Sequence, residues 1–502
     1  MSIPARIADA ADPTAPTITR AQFFKVFPSV CLPMFLASVD QTIVATALPN
    51  IAGSLGDVER VSWVVVAYLM ATTIAAPVYG RLGDVLGRRR LLFMALTIFL
   101  AASVLCAIAP TMLALIAARV LQGAGGGGLM TLSQALVGEI VPPRERPRFQ
   151  GYLAGTFMVS STFGPVAGGW LTQHFGWTSV FYVNLPLGAL AMALAFRLPN
   201  RKAAGARFRF DWLGMGLLAG FVIPLLLALE RVQRMSAAAV PVIIGLVALA
   251  GASLWLLIRQ ERRAASPLIP IRILSMPSIW RSDAMAACVG ATIVGAVTFM
   301  PIYLQVVRGA DPARVGLLLL PLTAGIALGS IATGRMMVKT GRTAIFPSIG
   351  QPIVAAGWFV LAIAGPSIPL GWLPVLLVVI AVATGTTMPV VQLTVQIEAG
   401  PKNLGAASAS VQFTRSIGAA LGTASVGAVL FAVLAAHDPV IATLFADIVE
   451  RGPGILATVT PQQRVDLSAD IIGAFRAAFL TVGSFSAVAA LLAWSLPARR
   501  IT

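Results

Sequence analysis

The stretch GRLGDVLGRRR, from Gly80 to Arg90, recurs as GRMMVKTGRTA, from Gly334 to Ala344, at an offset of 254 residues. Similarity at a fixed spacing is the sign of a repeated structural unit. The same offset relates four further pairs along the chain: Arg148 to Lys402, Gly151 to Gly405, Gly164 to Gly418 and Gly168 to Gly422. The repeat therefore predicts two similar halves that run in the same direction.

The composition places both halves in lipid. The 502 residues are 58% hydrophobic and only 11% charged, whereas an ordinary soluble domain is about 25% charged. A helix that crosses a bilayer needs about 20 apolar residues. Fourteen runs are long enough: 26–48, 61–80, 91–109, 111–133, 149–172, 179–196, 213–230, 240–258, 283–306, 315–334, 345–364, 370–395, 405–435 and 473–496.

Together, the repeat and the apolar runs predict an all-α polytopic membrane protein. It consists of two parallel six-helix bundles with a hairpin of two further helices inserted between them. The predicted segments are an N-terminal tail, the first bundle, the hairpin with its linkers, the second bundle and a C-terminal tail: 1–25, 26–196, 197–282, 283–496 and 497–502.

The basic residues indicate an orientation. Of the 36 lysines and arginines, 26 fall on the side of the N-terminus, 8 on the opposite side and 2 inside spans. Because cytoplasmic loops collect Lys and Arg, we expect both termini in the cytoplasm. The same rule explains the net charge of +17 without nucleic acid. The first twenty residues lack a cleavage signal, so the first span should remain as a membrane anchor.

A glycine-rich run, RVLQGAGGGGLM, extends from Arg119 to Met130, and its part from Gly123 to Gly128 reads G-x-G-x-x-G. A nucleotide-binding loop of that form follows a strand and opens a helix, but this run lies inside an apolar span. Glycines there let a neighbouring helix approach closely or make the helix easier to bend. We favour close packing, keep a hinge as the alternative, and expect no cofactor.

Two charged residues, Asp40 and Arg119, lie deep inside predicted spans. Each is about eight or nine residues from the outer end of its span, or ~12–14 Å at about 1.5 Å per residue. A charge at that depth is costly unless it is paired or faces water, so it marks a functional candidate. Two interpretations stay open: a permanent ion pair that holds two spans together, or a carboxylate that exchanges protons.

Several motifs occur in order along the chain: SVDQTIVATALP (38–49), GRLGDVLGRRR (80–90), RVLQGAGGGG (119–128), GTFMVSSTFGPVAGGW (155–170), FGWTSVFYVNLPLG (175–188), DWLGMGLL (211–218) and YLQVVRGADPARVGLLLLP (303–321). In this order they resemble the major facilitator superfamily, and within it the fourteen-span drug/proton antiporter branch of the EmrB/QacA type. The resemblance covers nearly the whole chain and implies the major-facilitator fold.

The resemblance also implies roles for residues in these motifs. The resemblance assigns proton coupling and lining of the substrate cavity to residues in the motifs of spans 1 and 4: Asp40, Thr42, Arg119 and Gln122. It assigns a conformational latch to the motif after span 2, at Gly80, Asp84, Gly87 and Arg88. The two glycines of this set are expected to form tight turns. In the second half Val338 replaces Asp84, so the latch should be one-sided.

The fifth span carries the antiporter motif, whose glycines should permit close helix contact while the proline kinks the helix: Gly155, Gly164, Pro165, Gly168 and Gly169. By resemblance this motif favours export over uptake. Arg415, inside span 13, is a weaker site candidate, with backbone capping or packing as the alternative. Glu230, Asp283 and Glu398 are expected near span ends, leaving Asp40 as the single deep acid.

The sequence therefore predicts a proton-coupled antiporter, not an enzyme, that exports hydrophobic or amphiphilic drugs from the cytoplasmic (inner) membrane of a bacterium. One deep acid paired with an arginine favours neutral, zwitterionic or monovalent amphiphiles. The proton gradient supplies the energy, and the chain is expected to act as a monomer among lipids. Export of an endogenous lipid, siderophore or antibiotic is the alternative, and a non-transporting sensor or scaffold is a further one. The external segment 437–472 is expected to hold short surface helices, and its contact with a periplasmic adaptor stays open.

Overall fold

The computed structural model describes residues 20–57, 60–199, 210–233, 239–264, 266–437, 445 and 461–497. Their elements are helices joined by short turns. In chain order they are α1 (Arg20–Leu55), α2 (Trp63–Leu86), α3 (Arg88–Ala107), α4 (Met112–Ile140), α5 (Arg146–Phe175), α6 (Ser179–Tyr182), α7 (Asn184–Ala195), α8 (Trp212–Gln233), α9 (Val240–Glu261), α10 (Ile271–Leu274), α11 (Pro277–Val306), α12 (Pro312–Thr340), α13 (Ile345–Ala364), α14 (Leu373–Gly385), α15 (Thr387–Ala399), α16 (Leu404–His437) and α17 (Pro461–Trp494).

Twelve helical segments of the described chain are long and apolar enough to cross a membrane. Two predicted spans are not among them. The helix α5 is long, but Gly, Ser and Thr dilute its apolar character, and the pair α6–α7 forms a shorter apolar segment, Ser179–Ala195. The fold is thus all-helical with about twelve candidate spans, and fourteen crossings remain a prediction.

The helices pack as the repeat leads one to expect. In the first half α4 packs against α2 and α3, and in the second the corresponding helix α14 packs against α12 and α13. The halves meet along two pairs of helices, α2 with α16 and α5 with α12. The two pairs are equivalent in the repeat, because the offset of 254 residues relates α2 to α12 and α5 to α16. The inserted helix α8 packs against α9 on one side and against α2 and α16 on the other.

The expectation of two glycine turns in the Gly80–Arg90 motif was half wrong. The helix α2 continues through Gly80 to Leu86, and Gly87 alone, with φ of 95°, separates it from α3. A Cβ on Gly80 would lie 2.6 Å from the carbonyl oxygen of Gly405 in α16. Gly80 is therefore a contact point between the two halves, because only a residue without a side chain fits there.

The glycine run of α4 serves close packing. The helix continues unbroken through the run. A Cβ added to Gly123 would lie 2.5 Å from the backbone carbonyl oxygen of Tyr68, and one added to Gly127 would lie 2.5 Å from that of Thr72. On its other side, a Cβ on Gly125 would lie 2.8 Å from the Phe99 nitrogen. These backbone contacts with α2 and α3 confirm the packing interpretation of the run.

The segment 437–472 is only partly described. Residues 438–444 and 446–460 lie outside the described part of the chain, as do 1–19 and 498–502 of the two tails. The helix α17 begins at Pro461, so the last part of the segment continues into the final span. The expectation of short surface helices was wrong for that part.

Replacing Gly127 by alanine should destabilise the protein, because the new methyl group meets a backbone oxygen of α2 that cannot move aside. Overpacking of this kind costs about 1–3 kcal/mol, measurable as a lower midpoint of thermal unfolding in detergent. Gly245→Ala is the matched control, since Gly245 in α9 has nothing within 4 Å. Equal midpoints for the two variants would contradict the packing role.

Candidate functional site

The structure brings Asp40 of α1 and Arg119 of α4 into direct contact. The Arg119 Nη1 donates to Asp40 Oδ2 at 2.5 Å, and both side chains are 0% exposed. The Arg119 Nε donates to the carbonyl oxygen of Val64 in α2 at 3.0 Å. The pair therefore ties together three helices of the first half.

A network of neutral polar groups surrounds the pair. Gln122 accepts from Arg119 Nη1 at 2.6 Å and donates through Nε2 to Asp40 Oδ1 at 2.9 Å. Asn184 of α7 donates to the same carboxylate oxygen at 2.8 Å. The hydroxyl of Ser103 in α3 accepts from Gln122 at 2.8 Å. Both carboxylate oxygens are thus hydrogen-bonded, which a buried charge requires.

Sequence reasoning missed Asn184 and Ser103. Asn184 was visible as a polar residue inside the apolar stretch FYVNLPLG, and its position in a recognised motif was the available signal. Ser103 gave no signal, because a serine in a membrane helix most often bonds its own backbone, as Ser103 also does to Phe99. Only the approach of α3 to α4 makes it a partner of Gln122.

An aromatic ring separates the ion pair from the space between the halves. The Arg119 Cζ lies 4.2 Å from the centroid of the Tyr68 ring, within the range of a cation–π interaction. The Tyr68 hydroxyl donates to the Ala37 carbonyl at 3.0 Å, which holds the ring in place. None of the described residues is a hydrogen-bond partner of Arg119 Nη2, so this ring is part of what stabilises the guanidinium.

A cavity of about 300 Å³ lies between the halves and the inserted helix α8. This volume is at the small end of the range for ligand pockets. Asp40 and Arg119 do not line it, although the family resemblance placed both on the cavity wall, because they satisfy each other behind Tyr68. The polar lining comes from several helices: Gln41, Tyr68, Thr72, Thr73, Glu230, Gln412, Arg415, Ser416 and Thr423. Glu230, expected only near a span end, reaches the cavity from α8.

Arg415 of α16 lies on the wall of this cavity. Its Nη2 donates to Gln412 Oε1 at 2.8 Å, and its Cζ lies 4.4 Å from the centroid of the Phe157 ring. Neither contact is with a backbone carbonyl, so the alternative of backbone capping was wrong. Arg415 is also one of four residues that line both this cavity and a smaller one, to which Met34 and Gln150 contribute.

Thr42 and the glycines of α5 form the contact between α1 and α5. A Cβ on Gly164 would collide with the Thr42 side chain, and one on Gly168 would collide with the Ile43 carbonyl. Thr42 donates to the Ser160 carbonyl at 3.4 Å, so it joins two helices and does not line the cavity.

Three further residues of the α5 motif do not take part in the close contact that Gly164 makes. A Cβ added to Gly169 would meet no atom of the described residues within 4 Å, so the expectation that Gly169 allows close helix contact was wrong. Gly155 meets only the flexible end of Ile331, at 3.3 Å. Pro165 lies inside α5 on an exposed position. The close approach in this motif therefore depends on Gly164 and Gly168.

Asp84 joins the two halves at the end of the bundle where α2 ends and α16 begins. Its Oδ1 accepts from the Gly405 N–H at 2.8 Å and its Oδ2 from the Ala406 N–H at 3.0 Å. These N–H groups belong to the first turn of α16, where a helix favours negative charge. Arg88 donates to Asp84 and to Glu139 of α4, each at 2.5 Å. The carboxylate therefore holds a helix end of the other half.

Glutamines form a second layer of contacts between the halves, close to Asp84. Gln396 of α15 donates to the Gln134 carbonyl of α4 at 3.1 Å and to Ser408 of α16 at 3.0 Å. Gln150 of α5 donates to Gln396 at 3.5 Å. Sequence reasoning did not single out these residues. Their signal was a set of glutamines inside apolar runs.

Two parallel helical bundles, a buried charge pair and a cavity at the seam define a multi-pass membrane transporter. A comparison with protein families identifies the family to which this transporter belongs. Residues 30–423 match the family model of the Major Facilitator Superfamily. The chain belongs to this superfamily, whose members are transporters and not enzymes.

Relatives share about a third of their residues with the chain. An uncharacterized MFS-type transporter of Mycobacterium tuberculosis (strain H37Rv) is 34% identical over 403 residues, which is 80% of this chain and 59% of that protein. The chain thus spans less than two thirds of that relative. The multidrug transporter protein MdtP of Bacillus subtilis (strain 168) is 33% identical over 400 residues, 79% of this chain and 73% of that protein.

A solved structure supports the fold. The proton:xylose symporter XylE superposes with a TM-score of 0.62 at 13% identity, covering 95% of this chain and 96% of that one. At this identity the likeness concerns the fold alone.

Replacing Asp84 by alanine should loosen the contact between the halves, since each charge-assisted hydrogen bond contributes about 1.5–3 kcal/mol. Ser408→Cys, buried one turn into α16, provides the reporter in a chain whose native cysteines are replaced by alanine. We expect a maleimide to label this cysteine at least about 10-fold faster in the Asp84→Ala background, since tenfold corresponds to about 1.4 kcal/mol.

Asp57→Ala is the control for this experiment. Asp57 forms an exposed pair with Arg60 at 3.3 Å within the first half, and such pairs contribute little to stability. The Ser408→Cys reporter should be labelled at the same rate in the Asp57→Ala background as in the parent. Unchanged labelling in the Asp84 variant would exclude a latch at this position.

Proposed function

We propose that the protein is a proton-coupled antiporter that exports hydrophobic or amphiphilic compounds, including drugs, by alternating access. The observation that carries the proposal is the buried Asp40–Arg119 pair beside the cavity between the halves. A carboxylate is retained at such a position at a cost in stability, which favours a role beyond packing. The relative named as a multidrug transporter agrees with this substrate class.

The membrane arrangement is part of the proposal. The helix α5 and the pair α6–α7 join the twelve apolar segments as membrane spans, which gives the fourteen spans of the EmrB/QacA branch. The excess of Lys and Arg on the side of the N-terminus puts both termini in the cytoplasm of a bacterium. The Asp84 end then faces the cytoplasm, and the protein lies in the inner membrane as a monomer. An adaptor contact at 437–472 belongs to the same proposal.

The proposed cycle starts from the conformation in which Asp84 holds the cytoplasmic end closed. A proton from the outside protonates Asp40, which removes the counter-charge of Arg119 and weakens the hydrogen bonds from Gln122 and Asn184. The halves then rock to open the cytoplasmic side. Release of the proton there restores the ion pair and accompanies binding of the substrate. One proton moving across 100 mV supplies about 2.3 kcal/mol.

The test is the substitution Asp40→Asn, which removes the titratable group. In everted vesicles we expect proton-driven accumulation of lipophilic dyes to fall at least about 10-fold, to the level seen with an uncoupler; tenfold corresponds to about 1.4 kcal/mol. Asp57→Asn, an exposed acid of the same chain, serves as the matched control and should transport normally. A lack of proton-dependent transport in the parent would favour a sensor or scaffold.

A second variant separates coupling from structure. Asp40→Asn alone leaves Arg119 buried without a counter-charge, which costs about 3–5 kcal/mol. The double variant Asp40→Asn with Arg119→Gln removes both charges and should recover most of that stability. We expect it to fold and still fail in coupled transport. Proton-driven accumulation by the folded double variant would show that the pair only holds helices together.

A further inference from the structure

Arg415 is the one arginine among the described cavity-lining residues, and the proposed proton cycle does not use it. It lies where three elements meet: its own helix α16, Phe157 of α5 and Ile293 of α11. Both the larger and the smaller cavity reach its side chain. The guanidinium therefore lies where the two cavities adjoin.

The hydrogen bonds of Arg415 leave most of its donors available. A guanidinium has five N–H donors, and the one hydrogen bond of this side chain within the described structure goes to Gln412. No carboxylate of the described residues forms an ion pair with it. Arg119 differs, because its Nη1 and Nε are engaged by Asp40, Gln122 and Val64. The side chain of Arg415 lines the cavity, and its remaining donors bond to no acceptor of the described residues.

The acid of the same cavity does not neutralise Arg415. The Phe221 ring of α8 lies 6.5 Å from the Phe413 ring of α16, centroid to centroid, which aligns the two helices. Arg415 is two residues past Phe413, and Glu230 is nine past Phe221. At about 1.5 Å per residue, the backbone positions of the two residues are offset by roughly 10 Å along their helices, and no ion pair joins them within the described structure.

The rest of the wall is mostly apolar. Leu226 and Leu229 of α8 face Ile293 and Val294 of α11, and Ala420 of α16 adds to the same surface. A ligand with an apolar body fits this lining, and among the residues that line the cavity a negatively charged end would find a cationic donor only at Arg415. Arginine binds a carboxylate through two parallel hydrogen bonds.

We propose that Arg415 is a binding residue for the carboxylate of an amphiphilic anion whose apolar body lies along α8 and α11. This inference rests on the proposed export function and narrows its substrate class from amphiphiles in general to those with a negative head group. The Phe157 ring and Gln412 hold the guanidinium in position for that contact. Glu230, at the far end of the cavity, repels a second negative charge and so favours monoanions.

The test compares three probes with one apolar body: pyrenebutanoate, its primary amide and the corresponding butyltrimethylammonium. Binding to the purified full chain in lipid nanodiscs is followed by fluorescence anisotropy. We expect the butanoate to bind at least about 10-fold more tightly than the amide, equivalent to about 1.4 kcal/mol. Arg415→Gln should abolish this preference while leaving affinity for the amide unchanged, and Arg415→Lys should retain part of it.

Arg259→Gln is the matched control, because Arg259 also lies over an aromatic ring, 5.5 Å from the centroid of Trp255, but is exposed outside the cavity. It should keep the full preference. A preference that survives Arg415→Gln, or a parent protein that binds the amide or the ammonium as tightly as the butanoate, overturns the inference. Proton-driven transport of the amide or ammonium without any anion preference would leave the export function standing. Absence of binding and transport for all three probes would contradict both.

Discussion

Burial of the Arg119 guanidinium inside an apolar bundle is the constraint on which the first half depends. A charge there needs a counter-charge and hydrogen bonds to both, and Asp40, Gln122 and Asn184 supply them from α1, α4 and α7. These short side chains reach one another only if their helices lie close together. The glycines of α4 permit that approach, since a methyl group at Gly127 would meet the backbone of α2. Burial of these charges therefore requires close packing of the helices that carry them.

The two seams between the halves are related by the repeat but are not equivalent. At the first, Gly80 meets Gly405, and Asp84 binds the first turn of α16. At the second, Gly151 of α5 meets Ser330 of α12 in a similar close contact. Val338 and Leu393 stand where Asp84 and Glu139 stand in the first half. Close packing is thus shared by both seams, whereas among the described residues the ionic contact belongs to the first.

The inserted helix α8 changes the chemistry of the cavity. It packs at the seam of α2 and α16 and contributes an apolar wall together with Glu230. With Arg415 on α16, the cavity then holds two opposite charges at separate depths, while the Asp40–Arg119 pair lies behind the Tyr68 ring. The buried ion pair and the charges that line the cavity are thereby kept in different compartments of one bundle.

The sequence by itself determined the helical class, the two-fold repeat and the position of Asp40 and Arg119 inside apolar helices, because composition and spacing are properties of the chain alone. These features could be recognised in the sequence because a helix that spans a bilayer must be long and apolar. The ordered motifs indicated the superfamily. Only the tertiary structure decided which face each helix turns to its neighbours. It placed Asn184 on Asp40, Thr42 on α5, Gln396 between the halves and Arg415 on the cavity, and left Gly169 without a contact. The physical reason is that rotation about a helix axis depends on distant partners, which no local pattern of residues records.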